Sequence, residues 1–155
     1  MMYSVSPRTE KRAMTPARRN VARLLLADSD PASRAALHAL LTTAGYAVDC
    51  AGTSGEAALK LDRSEYQLVL ADLAAESDGA AARLLAYARQ KEFCPATALL
   101  TSRLSEGEPR NDDWRMPDGP VLMSPENVVF LLVRVAELIG ERADRRLRHN
   151  LLRVN

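Results

Sequence analysis

The sequence predicts a doubly wound α/β domain, a parallel sheet with helices on both faces. Leu68-Val69-Leu70-Ala71 runs without a break into Asp72, and a second run, Val21 to Ala27, leads into Asp28. Short apolar runs of this kind belong to strands buried on both faces. Between them lie segments whose apolar residues recur at helical spacing. Strands alternating with helices form parallel βαβ units, and their crossovers are right-handed almost without exception. At 155 residues the chain is long enough for one domain with a substantial core and too short for two ordinary ones.

After the first strand, Asp30 can cap a helix whose first position is Pro31, where the missing N–H removes nothing. Leu37, Leu40, Leu41 and Ala44 follow at helical spacing, and Gly45 supplies the stop. Tyr46 to Ala51 reads as a short second strand, and Thr53 or Ser54 opens a small helix with Ala57, Ala58 and Leu61 inward. The third strand ends at Asp72, and the loop Ala74 to Gly79 borders that end. A third helix is expected from about Gly79 to Glu92 on Leu84, Leu85 and Ala88, followed by Phe93-Cys94-Pro95 and a fourth strand, Ala96 to Thr101. Residues 103–119 contain two prolines and two glycines and no apolar stripe, so irregular backbone is expected where a fourth helix would stand, with Trp114 packed on the body. Val121 to Met123 makes a fifth strand, and Ser124-Pro125-Glu126 is a strong helix start. Val128, Leu131, Leu132, Val135, Leu138 and Ile139 then share one face, and Leu147, Leu151 and Leu152 carry the pattern on into an extended last helix.

Reactive groups in open α/β sheets gather beyond the carboxyl ends of the strands. Two strands delivering Asp28 and Asp72 there, with Asp30 close by, suggest a divalent-metal or phosphoryl site. Leu25-Leu26-Ala27-Asp28-Ser29-Asp30-Pro31, Asp72-Leu73, Leu100-Thr101-Ser102 and Met123-Ser124-Pro125 follow one another along the chain. Taken in that order, they resemble the motifs of the receiver domains of bacterial two-component response regulators, over roughly residues 21–140.

The resemblance implies a flavodoxin-like five-stranded sheet of order 2-1-3-4-5. It also implies Asp72 as phosphoacceptor, Asp28, Asp72 and Ala74 as magnesium ligands, and Thr101 and Ser124 as contacts to the phosphoryl group. Three departures bear on that chemistry. Ser29 stands where the family has a second acid, which weakens magnesium binding. Ser124 stands where the family has a lysine, and a hydroxyl supplies no charge. The loop after Asp72 is one residue short and adds Glu76 and Asp78, whose charges disfavour a phosphoaspartate. The implied function is a degenerate, stand-alone receiver in phosphorelay signalling, not an enzyme, acting by protein docking. The alternative is a working receiver phosphorylated on Asp72 by a histidine kinase with magnesium. Reading Asp28-Ser29-Asp30 as the Asp-x-Asp of a haloacid-dehalogenase-type phosphatase leaves Asp72 unexplained.

Apolar content of 47% with 26% charged residues is ordinary globular composition, and no stretch is apolar for long enough to span a membrane. No secretory signal opens the chain, so the cytoplasm is the expected compartment. Cys50 and Cys94 form no disulfide framework or metal spacing and are expected as free buried thiols. The net charge of +1 is unevenly spread: residues 1–23 carry Arg8, Lys11, Arg12, Arg18, Arg19 and Arg23 against Glu10. Residues 141–155 carry Arg142, Arg145, Arg146, Arg148 and Arg153 against Glu141 and Asp144. The expected division is a disordered basic leader over 1–20, a receiver-like domain over 21–144 and a basic helical extension over 145–155. A histidine kinase or other signalling protein is the favoured partner, nucleic acid reached through the basic tails is a lesser one, and a homodimer is compatible with the long helix. Deleting residues 1–19 is expected to change stability by no more than about 0.5 kcal/mol, checked by urea denaturation.

Overall fold

The computed structural model describes residues 21–73, 75–77, 79–100, 121–123 and 128–154. The strands are β1 (Arg23–Asp28), β2 (Ala47–Ala51), β3 (Leu68–Asp72), β4 (Ala96–Leu100) and β5 (Val121–Met123). The helices are α1 (Pro31–Thr43), α2 (Ser54–Arg63), α3 (Ala80–Arg89) and α4 (Val128–Val154). All strand pairs are parallel, in the order β2-β1-β3-β4-β5. The sheet is the one the motifs implied.

Side-chain alternation along the central strands explains why their sequences are apolar without a break. Leu25 and Ala27 of β1 and Val69 and Ala71 of β3 share a core with Ala57 and Leu61 of α2 and with Leu84, Leu85 and Ala88 of α3. Their neighbours Leu24, Leu26, Leu68 and Leu70 share the opposite core with Leu37 and Leu41 of α1 and Leu131, Val135 and Leu138 of α4. Each face thus takes every second residue, and two of the described helices pack on each face.

Local chemistry sets the helix ends. The Asp30 carboxylate accepts from the Ala32 N–H at the start of α1, with Pro31 following it. Gly45 sits just past the end of α1 at φ +107, a conformation only glycine adopts without strain. Thr53, rather than Ser54, caps α2, its hydroxyl accepting from the Glu56 N–H at 3.1 Å. The third helix ends at Arg89, short of Glu92.

Two expectations are corrected. Cys50 is half-buried and Cys94 is exposed, both as free thiols. Cys94 lies in the turn between α3 and β4 at φ +42, and that turn lifts it out of the core. Val128 is 45% exposed although it shares a helical phase with buried Leu131 and Val135. Periodicity gives the direction of the packed face and not how far along the helix packing extends. The expected irregular stretch over 103–119, with Trp114, and the helix start at Ser124 lie outside the described residues. Among the described residues no helix is long and apolar enough to cross a membrane.

Tyr66, just before β3, is buried and donates to Asp49 Oδ2 at 2.6 Å, while Arg23 Nη2 donates to the same oxygen at 2.8 Å. Burial, and then the bond to the Asp49 carboxylate, push the Tyr66 hydroxyl up to about 12. An unfolded tyrosine ionises near ~10, so this stabilisation is fully present below about pH 10 and is lost as pH rises towards the folded value. Stability measured by urea denaturation is expected to fall over that window, and Tyr66→Phe is expected to flatten the fall. An unchanged slope in the variant would show that Tyr66 is not its source.

Candidate functional site

Parallel pairing places Asp28 and Asp72 side by side, because β1 and β3 run in register from Leu24↔Leu68 to Asp28↔Asp72. Register partners in a parallel sheet project to the same face, so both carboxylates leave the carboxyl edge together. The ladder continues one step beyond, where the Ser29 N–H donates to the Asp72 carbonyl at 3.0 Å and the Ser29 hydroxyl reaches the same carbonyl at 3.5 Å. Ser29 therefore closes the strand pair with neutral groups where the resemblance has an acid.

Asp28 is 1% exposed, and its two oxygens have different surroundings. Oδ1 accepts from the Asp30 N–H at 3.0 Å, a turn that orients the carboxylate. Oδ2 is buried and has no hydrogen-bond partner among the described residues. A buried carboxylate oxygen without a partner is costly, and a bound cation is one way to satisfy it. Asp72 is half-buried beside it. Among the described residues no group of three His, Cys, Asp or Glu could hold a metal ion, so Asp28 and Asp72 are the carboxylates on offer. Magnesium is commonly held by one or two carboxylates with waters and substrate oxygens, and this pair meets that minimum.

One neighbouring group, Arg34, was not legible as part of the site, and another, Glu76, has a partner that was not expected. Arg34 Nη1 donates to the Asp28 backbone carbonyl at 2.7 Å, which brings a guanidinium from the first turns of α1 to the end of β1. The same side chain fills the space over Gly52, where an added Cβ would stand 2.9 Å from Arg34 Nη1. Glu76, expected to add negative charge around the acceptor, is instead held by the start of α2. It accepts from the Ser54 N–H at 2.9 Å and from the Ser54 hydroxyl at 2.5 Å. These two bonds hold its carboxyl below the usual range. Ala74, Asp78, Thr101 and Ser124 lie outside the described residues.

No family model matches the sequence, and neither does any curated protein. Solved structures do. A CheY-like response regulator receiver domain from Methanospirillum hungatei JF-1 is 22% identical over 81% of this chain and 99% of its own, with a TM-score of 0.61. A chain from the crystal structure of the histidine kinase ThkA in complex with the response regulator TrrA is 28% identical over 76% of this chain and 98% of its own, at a TM-score of 0.60. The chemotaxis protein CheY4 of Vibrio cholerae is 19% identical over 76% and 98%, at 0.61. The fold is that of the response-regulator receiver domains. In receiver terms, β1 supplies Asp28 and β3 supplies Asp72 at neighbouring positions on one sheet edge.

The lone oxygen of Asp28 makes a prediction about this receiver fold. With divalent ions chelated, Asp28→Asn removes a buried charge next to a second carboxylate. It is expected to raise stability by about 1–2 kcal/mol, read from the urea midpoint. A loss of stability would show that Oδ2 has a favourable partner after all.

Proposed function

We propose that the chain is a receiver-type module of two-component signalling whose phosphoacceptor pocket is weakened and which acts mainly by docking to a protein partner. The observation that carries this is Ser29: its N–H and hydroxyl are both directed at the Asp72 carbonyl, so the position brings no charge to the site. Ser124, at the position matching the family lysine, removes a cation from the same pocket. A signalling protein such as a histidine kinase is the proposed partner class, supported by a structural neighbour from a complex of a kinase with a response regulator.

One observation favours a second reading, in which the chain is a working receiver. The buried Asp28 Oδ2 would be satisfied by magnesium held between Asp28 and Asp72, with the Ala74 carbonyl as a further ligand. Bound there, the ion would neutralise charge on a transferring phosphoryl group. An Asp72 oxygen would then attack the phosphorus of a phosphohistidine, forming an O–P bond as the N–P bond breaks, with Thr101 and Ser124 hydrogen-bonding the phosphoryl oxygens.

Intact-mass measurement with magnesium and a small phosphodonor separates the two. The wild type is expected to gain little phosphate, and Ser29→Asp with Ser124→Lys is expected to raise the gain substantially, all of it lost with Asp72→Asn. Rapid stoichiometric phosphorylation of the wild type on Asp72 would decide for the working receiver. Phosphorylation by neither form, with the double variant folded, leaves docking as the function and places the defect in the shortened loop over residues 74–79.

A further inference from the structure

A cavity of about 510 Å³ lies between the end of α3, the turn before β4 and the last turns of α4, away from Asp28 and Asp72. Its wall is strongly cationic: Arg89, Arg142, Arg145, Arg146, His149 and Arg153 line it, against the single acid Glu92. The last five share one helical face, since 142, 146, 149 and 153 recur at intervals of four, three and four, with 145 beside them.

Two of these arginines build the wall. Arg142 donates through Nη2 to the Phe93 carbonyl at 2.6 Å and through Nε to the Cys94 carbonyl at 3.1 Å. Arg146 Nη1 donates to the Phe93 carbonyl at 2.9 Å. These bonds seat the helix on the turn and hold two guanidinium groups at fixed positions. Arg89 is likewise held, donating to the Thr97 hydroxyl at 3.2 Å. Among the described residues, the ion pairs formed involve none of the five lining arginines. Burial first, and then the neighbouring Arg146 and Arg145, lower the Arg142 pKa, which marks like charges held close together.

We propose that this cavity is a binding site for a small ligand carrying a chain of phosphates, of the di- or triphosphate class. The charge demands it: five arginines against one glutamate call for a multiply charged anion, and a terminal phosphate carries about two charges where a carboxylate carries one. The donors match it as well, because guanidinium groups bind phosphate oxygens in pairs and Arg is favoured wherever that recognition matters. The cavity volume falls within the usual range for small-molecule sites, about 300–1,000 Å³. Its lining contains no Phe, Tyr or Trp, and His149 alone offers no series of rings on which successive bases of a nucleic acid could stack.

The test is calorimetric titration of the full chain, with divalent ions chelated, using tripolyphosphate, a nucleoside triphosphate, polyglutamate and a thymidine oligonucleotide. Saturable tripolyphosphate binding is expected, weakening with added salt. Arg145→Glu with Arg153→Glu should weaken it about tenfold or more with an unchanged melting temperature, because neither side chain anchors the helix. If that variant unfolds, Arg145→Gln with Arg153→Gln is used instead, and a smaller loss is expected. Asp72→Asn should bind like the wild type. A nucleoside triphosphate binding more tightly than tripolyphosphate identifies a nucleotide as the ligand, and equal affinities identify the phosphate chain alone. No saturable heat with either, an affinity that the folded variants leave unchanged, or tighter binding of the oligonucleotide or polyglutamate would overturn the proposal.

Discussion

The in-register pairing of β1 with β3 is the constraint on which the site depends. Each residue from Leu24 to Asp28 pairs with its counterpart from Leu68 to Asp72, and a slip of one residue would send either Leu24 and Leu26 or Leu68 and Leu70 to the wrong face. The two cores therefore lock the register. What the locking delivers is a pair of adjacent carboxylates at the edge, an arrangement that repulsion alone would not select. Hydrophobic burial of the strands holds the two acids at neighbouring positions, and it leaves the buried Asp28 Oδ2 with a demand for a partner.

The groups around that pair distinguish this chain from what its motifs imply. Ser29 adds no third acid, and it also ties its amide to the Asp72 carbonyl, extending the strand ladder. Arg34 brings a guanidinium to the Asp28 backbone carbonyl, where it secures the end of β1. Glu76 is withdrawn to the start of α2 by Ser54. Each of these groups is held by its own hydrogen bonds rather than left free.

The strands were legible because a doubly covered sheet leaves an uninterrupted apolar signature at Leu68 to Ala71, and the caps were legible because Asp30-Pro31 and Gly45 act locally. The site pair was legible for the same reason, as acids that end such runs. What escaped were contacts that depend on the reach of long side chains between elements. Arg34 reads from sequence as one more charge on a helix, yet it packs over Gly52 and binds β1. Arg142 and Arg146 read as part of a solvated basic tail, yet they grip two carbonyls in the turn before β4. Nothing in residue spacing announces a bond across 48 or more positions.

That grip explains how the last helix can outrun its own core. Among the residues of α4 whose burial is described, none beyond Leu138 is buried, and Leu147, Leu151 and Leu152 are all exposed. Apolar packing, the usual source of helix stability in a folded protein, therefore ends well before Val154. Cations near a helix C-terminus are favoured by the macrodipole, and bonds from Arg142 and Arg146 to the Phe93 and Cys94 carbonyls add fixed anchors. The same bonds satisfy carbonyls in a turn that Cys94 enters with a left-handed backbone. The extension and the turn before β4 are thereby one mechanical unit. Because β4 pairs directly with β3, that unit is joined through the sheet to the strand that carries Asp72. The arginine face of α4 therefore bears on the amino end of β4, level with Leu68 at the start of β3, whereas Asp72 stands at the other end of that strand.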